Sequence, residues 1–355
     1  MGGPERVLPK QVARTGRRAF KAVVVGAGVT TATAFAATSV LLGQAHQARR
    51  TIPVAQSPPP RCDGVYGAKF PGEPIDLVLL GDSTAAGYGA HRRRETPGAL
   101  LATGISRRLR RPVRLRRFAM VGAKSTDLVP QVEAALEHDP DLAVIFIGGN
   151  DVTHGTPTSV AVRHLTQAVR ALREAGAQVV VGTCPDLSAI QPIKPPLRWL
   201  AGRLSRQLAT AQTVAVVQEG GWTVSLGDLL GPRFAAELAR LFAWDRFHPS
   251  ADGYAVAVAA MLPTVFAALG VAEDRPVLAE RVRSLPQAAR EAARKGGTEV
   301  SGTGVAGRDR GPAGRWARLR RLRPRDGDSE EVAPRPAVPR QAGDRTASVA
   351  WEESA

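Results

Sequence analysis

The chain has 355 residues, of which 44% are hydrophobic, and 48 Lys and Arg against 32 Asp and Glu give it a formal net charge of +16. This length accommodates one sizeable domain with extensions, or two modest domains. Aromatic residues contribute only 5% and are not interleaved with basic ones, so the composition argues against specific nucleic-acid binding despite the positive charge.

The N-terminal end predicts a membrane segment. Residues 22–43 contain no charged residue, which matches the roughly 20 apolar residues that span a bilayer. The basic residues of 1–21 outnumber those just after the segment, so the positive-inside rule places 1–21 in the cytoplasm and the remainder outside. A long signal peptide, cleaved near 44–48, is the alternative. We therefore expect a membrane-anchored protein with its domain outside the cytoplasm, or a secreted one if cleavage occurs.

Residues 44–73 are rich in proline and glycine and predict an extended linker. Cys62 lies in this linker, and the only other cysteine is Cys184. Outside the cell the two could form a disulfide that ties the linker to the domain, or they could remain free thiols. Sequence spacing does not distinguish these alternatives.

Strand and helix patterns alternate through the middle of the chain. The predicted strands are 75–80, 113–120, 141–147, 178–183 and 222–226. The predicted helices are 96–110, 127–138, 158–175, 196–218 and 251–269. Continuous apolar strands that alternate with helices are typical of a parallel sheet covered on both faces. The pattern predicts a three-layer α/β/α domain over residues 74–270.

The C-terminal region 271–355 predicts a tail. A patchy helical pattern is interrupted by Pro286, and beyond Gly296 the sequence is rich in Gly, Pro and charged residues, which favours disorder. The basic segment 315–323 contains apolar interruptions, and it is either a solvated tail or a segment that binds a membrane or an anionic wall polymer.

Arginine is also dense between His91 and Arg117. This region is either a solvated helix face or a surface that attracts anionic lipids or polymers of the cell envelope.

The tripeptide Gly81-Asp82-Ser83 follows the first predicted strand directly and opens a glycine-rich turn. Reactive groups of α/β sheets lie at the carboxyl ends of central strands. We therefore interpret Ser83 as a candidate nucleophile, which needs a base, an orienting acid and donors for an oxyanion.

Other segments supply these groups. Asp245 and His248 lie three residues apart before the last predicted helix, so the carboxylate can hold one imidazole nitrogen while the other accepts the serine proton. Gly122 and Asn150 follow two other predicted strands and can donate a backbone N–H and a side-chain amide to an oxyanion. Asp151 and His154 are close in sequence but form no metal-ligand pattern, and no metal or cofactor is expected.

These four segments, in this order, resemble the SGNH hydrolases, the GDSL esterase/lipase family, and above all its exported actinobacterial members. The resemblance covers roughly residues 74–270. It implies a flavodoxin-like α/β/α fold and a triad of Ser83, His248 and Asp245. It also implies an oxyanion hole formed by the backbone N–H groups of Ser83 and Gly122 and the side chain of Asn150.

The expected activity is that of a serine esterase acting on short acyl or acetyl esters through an acyl-enzyme. A carbohydrate or cell-wall O-acetylesterase and an acyltransferase are the enzymatic alternatives, since transfer differs from hydrolysis only in the acceptor. The expected substrate is a small ester or an acylated carbohydrate or lipid. An envelope-binding protein without activity is the alternative from another class.

Overall fold

The computed structural model describes residues 39–41, 43–44, 46–47, 50, 58–190, 192–227, 238–271, 277–303 and 315–322. The predicted membrane segment 22–43 lies outside the described residues except at 39–41 and 43. Within the described part of the chain, one helix is long and apolar enough to span a bilayer, Ala251–Ala268, and half of it is buried in the protein.

One sheet of nine strands forms the centre of the described structure. The strands are β1 Gly64–Tyr66, β2 Ile75–Gly81, β3 Val113–Arg117, β4 Leu142–Phe146, β5 Gln178–Gly182, β6 Trp222–Val224, β7 Val277–Ser284, β8 Thr298–Gly302 and β9 Trp316–Leu322. Their order across the sheet is β1-β3-β2-β4-β5-β6-β8-β9-β7. Strands β3, β2, β4, β5 and β6 are parallel, whereas the strands at both edges pair antiparallel. The predicted parallel sheet is therefore confirmed as the central part of a mixed one.

Helices connect the parallel strands and cover the sheet. They are α1 Ser83–Ala86, α2 Pro97–Leu109, α3 Leu128–Leu136, α4 Gly149–Thr153, α5 Thr158–Glu174, α6 Leu197–Gln218, α7 Leu238–Leu241, α8 Ala251–Ala268 and α9 Leu285–Ala292. The start of α2 shows why the helix predicted from the sequence forms at this position. Thr96 accepts a hydrogen bond from the Ala99 N–H, and Pro97 occupies the first turn, where its missing N–H costs nothing.

Two apolar clusters hold the layers together. On one face of the sheet α2 and α8 pack against side chains such as Leu79 and Val144, and on the other face α3 and α5 pack against side chains such as Leu80 and Ile145. Because successive strand residues point to opposite faces, the continuous apolar runs fill both clusters. All five residues of β4 are buried for this reason.

The C-terminal strands depart from the prediction. Residues 271–355 were expected to be a helical and then disordered tail, with the sheet ending at β6. Instead β8 pairs antiparallel with β6, and β9 and β7 continue the sheet beyond it. The expectation of disorder beyond Gly296 is therefore wrong for 298–302 and 316–322, while residues 304–314 and 323–355 lie outside the described part.

The basic segment 315–323 is largely strand β9 rather than a tail. Its Ala317 and Leu319 are buried in an apolar cluster with Leu285 of α9 and Val300 of β8. Arg320 lies 3.7 Å from the buried carboxylate of Glu299. Ala317 and Leu319, two of the apolar residues among the arginines, are thus core positions of a strand.

The N-terminal linker also contains structure. Strand β1 falls within the predicted linker 44–73 and pairs antiparallel with β3. Cys62 and Cys184 are both buried free thiols, so the disulfide alternative is not formed in the structure. Buried contacts, rather than a covalent bond, hold this part of the linker to the domain.

We expect Leu319→Ala to lower the free energy of unfolding by about 2–5 kcal/mol, because it leaves a cavity in the cluster between β9 and α9. Urea unfolding of the full chain measures this change. Val282→Ala on β7 is the control, since that side chain is 41% exposed and its truncation should change stability by less than about 0.5 kcal/mol. An unchanged stability of Leu319→Ala would contradict the docking of β9 on the domain.

Candidate active site

Ser83 is presented by an abrupt transition from strand to helix. Gly81 ends β2 with a φ of +126°, and a Cβ at this position would lie 1.9 Å from the Phe146 carbonyl oxygen, so only glycine fits. The next residue, Asp82, accepts a hydrogen bond from the Thr84 N–H at 2.8 Å and caps α1. Ser83 is therefore the first residue of α1, at the carboxyl edge of the sheet.

The sheet topology places Ser83 where several loops meet. β2 lies between β3 and β4, so the connection from β2 to β3 runs to one side of β2 and the connection from β3 to β4 runs to the other. A crevice forms outside the carboxyl ends of strands at such a switch point. The buried Gln131 of α3 accepts a hydrogen bond from the Gly81 N–H at 2.7 Å and donates one to the Gly81 oxygen at 3.0 Å. This amide fixes the end of β2 just before the serine.

His248 joins Ser83 to Asp245. Its Nε2 lies 2.8 Å from Ser83 Oγ, and its Nδ1 lies 2.5 Å from Asp245 Oδ2. An ionised carboxylate can only accept, so Nδ1 carries the proton and Nε2 is left to accept the serine hydroxyl hydrogen. The structure thus brings together the three residues that the sequence nominated as a triad.

The environment of Asp245 favours its ionised form. Burial raises the pKa of this carboxyl, but hydrogen bonds from the His248 ring and from the backbone N–H groups of Phe247 and His248 outweigh it, and the net pKa lies below the ordinary value. Both backbone donors reach Oδ1, at 2.9 and 3.0 Å. The negative charge next to Nδ1 is therefore held in place at neutral pH.

Aromatic residues that the sequence analysis did not single out also hold His248. Tyr88 and Phe247 contact the imidazole edge-on, with ring centroids 4.7 and 4.8 Å away. The hydroxyl of the buried Tyr254 donates to the Tyr88 carbonyl oxygen at 2.6 Å and ties that loop to α8. Tyr88 lies five residues after Ser83. Its position within the glycine-rich turn is the sequence signal that could have identified it as a contact of the histidine.

The two further oxyanion candidates lie on neighbouring loops. Asn150 is the second residue of α4, which follows β4, and its Nδ2 donates to the Ala123 oxygen at 3.0 Å. Gly122 has a φ of +85°, and no atom lies within 4 Å of a Cβ placed there, so its conformation rather than crowding requires glycine. The buried Asp151 accepts hydrogen bonds from both the N–H and the hydroxyl of Ser125 and braces the loop that carries Gly122.

A cavity opens beside Ser83 and His248. Asn150 also lines it, whereas Gly122 is not among its lining residues. Its apolar walls come from the sheet, the loop before α8, and the short 3₁₀ helix Leu187–Ala189 with the residue that follows it. These wall residues include Phe146, Leu187, Ile190, Leu226, Phe242 and Phe247. The cavity can therefore hold the apolar part of a small molecule whose reacting atom lies next to Ser83 Oγ.

Asp82 is a second buried carboxyl close to the serine. Burial raises its pKa to about 6, a rise that the Thr84 hydrogen bonds and the nearby His248 only partly offset. Its ionised form is thus costly in the folded protein at neutral pH. The cap that Asp82 provides explains why a polar residue is tolerated at this buried position.

Comparison with known proteins gives consistent matches. The family described as GDSL-like lipase/acylhydrolase matches residues 79–256. The GDSL-like esterase Rv1075c of Mycobacterium tuberculosis is 41% identical over 275 residues, which cover 74% of this chain and 87% of that protein.

Solved structures also match at lower identity. The crystal structure of TesA is 23% identical and covers 55% of this chain and 97% of its own, with a TM-score of 0.42. A catalytic mutant of Axe2, an acetylxylan esterase from Geobacillus stearothermophilus, is 18% identical and covers 57% of this chain and 96% of its own, also with a TM-score of 0.42.

We expect the stability of Asp82→Asn relative to the wild type to depend on pH. Asparagine caps a helix as well as aspartate does, so the cap is kept. Between pH 3.8 and about 6 the wild-type carboxyl binds its proton only in the folded state, so wild-type stability falls as the pH rises through this window. The variant should gain about 2 kcal/mol relative to the wild type between pH 4 and pH 7.

Urea unfolding of both proteins at the two pH values measures this difference. A stability difference that is the same at pH 4 and pH 7 would show that the buried carboxyl does not bind a proton in the folded state as described.

Proposed function

Since this chain belongs to the GDSL-like lipase/acylhydrolase family and is a carboxylic ester hydrolase, we propose that it hydrolyses short-chain acyl or acetyl esters with Ser83 as its nucleophile. The observation that carries this proposal is the hydrogen-bonded chain from Ser83 through His248 to Asp245. A serine, a base within reach of its proton and an acid that orients the base are the parts that acyl transfer requires.

In the proposed mechanism His248 Nε2 takes the Ser83 proton as Oγ attacks the ester carbonyl carbon. The imidazolium that forms is stabilised by the Asp245 carboxylate and then protonates the leaving alcohol. This step leaves an acyl group on Ser83. His248 next takes a proton from water, the hydroxide attacks the acyl carbon, and the acid is released as the proton returns to Ser83.

The oxyanion of each tetrahedral intermediate is stabilised by the N–H groups of Ser83 and Gly122 and by the Asn150 amide. Two observations support the role of Asn150. Its side chain lines the cavity beside Ser83, and one of its two amide hydrogens is donated to the Ala123 oxygen. That hydrogen bond orients the amide before substrate binds and leaves its second hydrogen for the oxyanion.

The apolar cavity supports a preference for short acyl groups. Phe146, Leu226 and Phe242 line it and are themselves 2%, 8% and 9% exposed, so its walls are parts of the core that move little. We therefore expect a small acyl chain to fit without displacing a wall residue and a long chain to require movement of the walls.

The enzyme is proposed to work outside the cytoplasm, held to the membrane by residues 22–43. The charge-free segment and its basic N-terminal flank support this location.

We expect Ser83→Ala to lower the rate of p-nitrophenyl acetate and butyrate hydrolysis by roughly 10⁶-fold, because the acyl-enzyme cannot form. A fluorophosphonate probe should label the wild type at Ser83 and leave the variant unlabelled. Circular dichroism verifies that the variant is folded. Full activity in a folded variant would contradict the assignment of the nucleophile.

The same assay with esters of increasing acyl length and with acetylated xylan tests the substrate class. Rates that are highest for acetate and butyrate support the proposed preference. Rates that rise steadily with chain length would contradict it, and activity confined to the acetylated polysaccharide would identify a carbohydrate O-acetylesterase instead.

We expect Asn150→Ala to lower kcat on the order of 10²–10³-fold with little change in KM, because the amide stabilises charge that exists only in the transition state. Asn150→Asp is the matched variant, since it keeps the size of the side chain but cannot donate. A kcat close to that of the wild type in both variants would remove Asn150 from the oxyanion hole.

A further inference from the structure

The first half of α6 exposes a cluster of large apolar side chains. Trp199, Leu200 and Leu204 are 68%, 39% and 38% exposed. At the 3.6-residue period of a helix, they lie together with Arg203 on one side of α6. We call these four residues the outer face of α6. Contiguous exposed apolar side chains on a folded protein mark a surface that contacts another apolar phase or molecule.

The buried side of the same half of α6 supports the active site. Leu197 and Ala201 pack in a small apolar cluster with Leu187 and Ile190, and those two residues line the cavity beside Ser83. The Leu187 N–H also donates to Ser205 Oγ of α6 at 3.2 Å. The outer face therefore lies on a helix whose inner side backs the wall of the substrate cavity.

Basic residues predominate around the outer face. Residues 187–218 contain no Asp or Glu and carry Lys194, Arg198, Arg203 and Arg206, of which Arg206 forms an ion pair with Asp186. Lys194 and Arg203 are exposed. A tryptophan and leucines flanked by lysine and arginine are the composition of helices that lie in the interface of an anionic bilayer.

The N-terminal chain is attached at the same place. Gln44 Nε2 donates to the Pro195 oxygen at 2.7 Å, and Gln44 Oε1 accepts from the Leu197 N–H at 3.1 Å. The side chain of Gln44 thus contacts the start of α6, one residue after the proposed membrane anchor 22–43 ends. An anchor that ends there brings the outer face close to the bilayer surface.

We propose that the outer face of α6 is a membrane-docking surface that inserts Trp199, Leu200 and Leu204 into the interface of an anionic bilayer. This inference rests on the proposed anchor at residues 22–43. Docking holds the domain in one orientation, with the helix that backs the substrate cavity against the lipid. Esters dissolved in the membrane then reach Ser83 without first crossing bulk water.

Fluorescence quenching tests the docking directly. The full-length wild type, Trp199→Phe and Trp316→Phe are reconstituted into vesicles of phosphatidylglycerol and phosphatidylcholine that contain acyl-chain-brominated phosphatidylcholine. Trp316 is the matched control, because it is 38% exposed but lies on β9. We expect bromine to quench a component of the wild-type emission that Trp199→Phe lacks and Trp316→Phe retains. Identical quenching in the wild type and Trp199→Phe overturns the proposal.

Flotation of the same vesicles separates this proposal from the anchor. If the protein floats with the vesicles and Trp199 is not quenched, the anchor stands and the docking surface is overturned. If the protein does not float, both are overturned, while the esterase activity in solution still tests the proposed function. If a Trp199→Cys variant cross-links to a second copy and Trp199 is not quenched, the surface is a contact between copies and the proposal is overturned.

An activity measurement adds a functional readout. Leu200→Glu should lower the hydrolysis of an ester dissolved in the vesicles by about tenfold, because the proposed contact of Leu200 with the bilayer is lost. Its hydrolysis of p-nitrophenyl acetate in solution should stay unchanged, and Val282→Glu on β7 serves as the control. An equal loss on both substrates would indicate damage to the active site and overturn the docking role.

Discussion

The hydrogen bond between Ser83 and His248 joins residues that are 165 positions apart in the chain. Its length of 2.8 Å requires the start of α1 and the loop before α8 to be placed accurately relative to each other. Gly81 sets the first position, because its positive φ allows β2 to pass directly into α1. The packing of α8 against the sheet sets the second, since the loop that carries His248 precedes that helix.

Three buried carboxyls near the site differ in the partners available to their charge. The pKa values of Asp82 and Asp151 are raised, because burial outweighs the hydrogen bonds that each accepts. The pKa of Asp245 is lowered, because the His248 ring and two backbone N–H groups outweigh its burial. Only Asp245 accepts a hydrogen bond from an imidazole, and this contact suits it to orient the base.

The edges of the sheet show the limit of pattern-based prediction. β9 contains three arginines among its seven residues, so the sequence pattern indicates either a solvated tail or a surface-binding segment rather than a strand. Its buried Ala317 and Leu319 alternate with charged positions, which is the pattern of a strand with one buried face. A strand of this kind differs from a solvated tail only in having a partner. It is stable only where β8 and α9 offer a surface to cover it, and no local sequence pattern reveals that surface.

The sequence by itself determined the alternation of the central strands and helices, and it nominated Ser83, Gly122, Asn150, Asp245 and His248. It could do so because apolar periodicity and short motifs are local properties of a chain. The tertiary structure alone decided the contact of Ser83 with His248, the clamp of Gln131 on Gly81 and the extension of the sheet by four strands, β1 at one edge and β7, β8 and β9 at the other. These features depend on contacts between residues far apart in the chain, and such contacts form only when the layers pack.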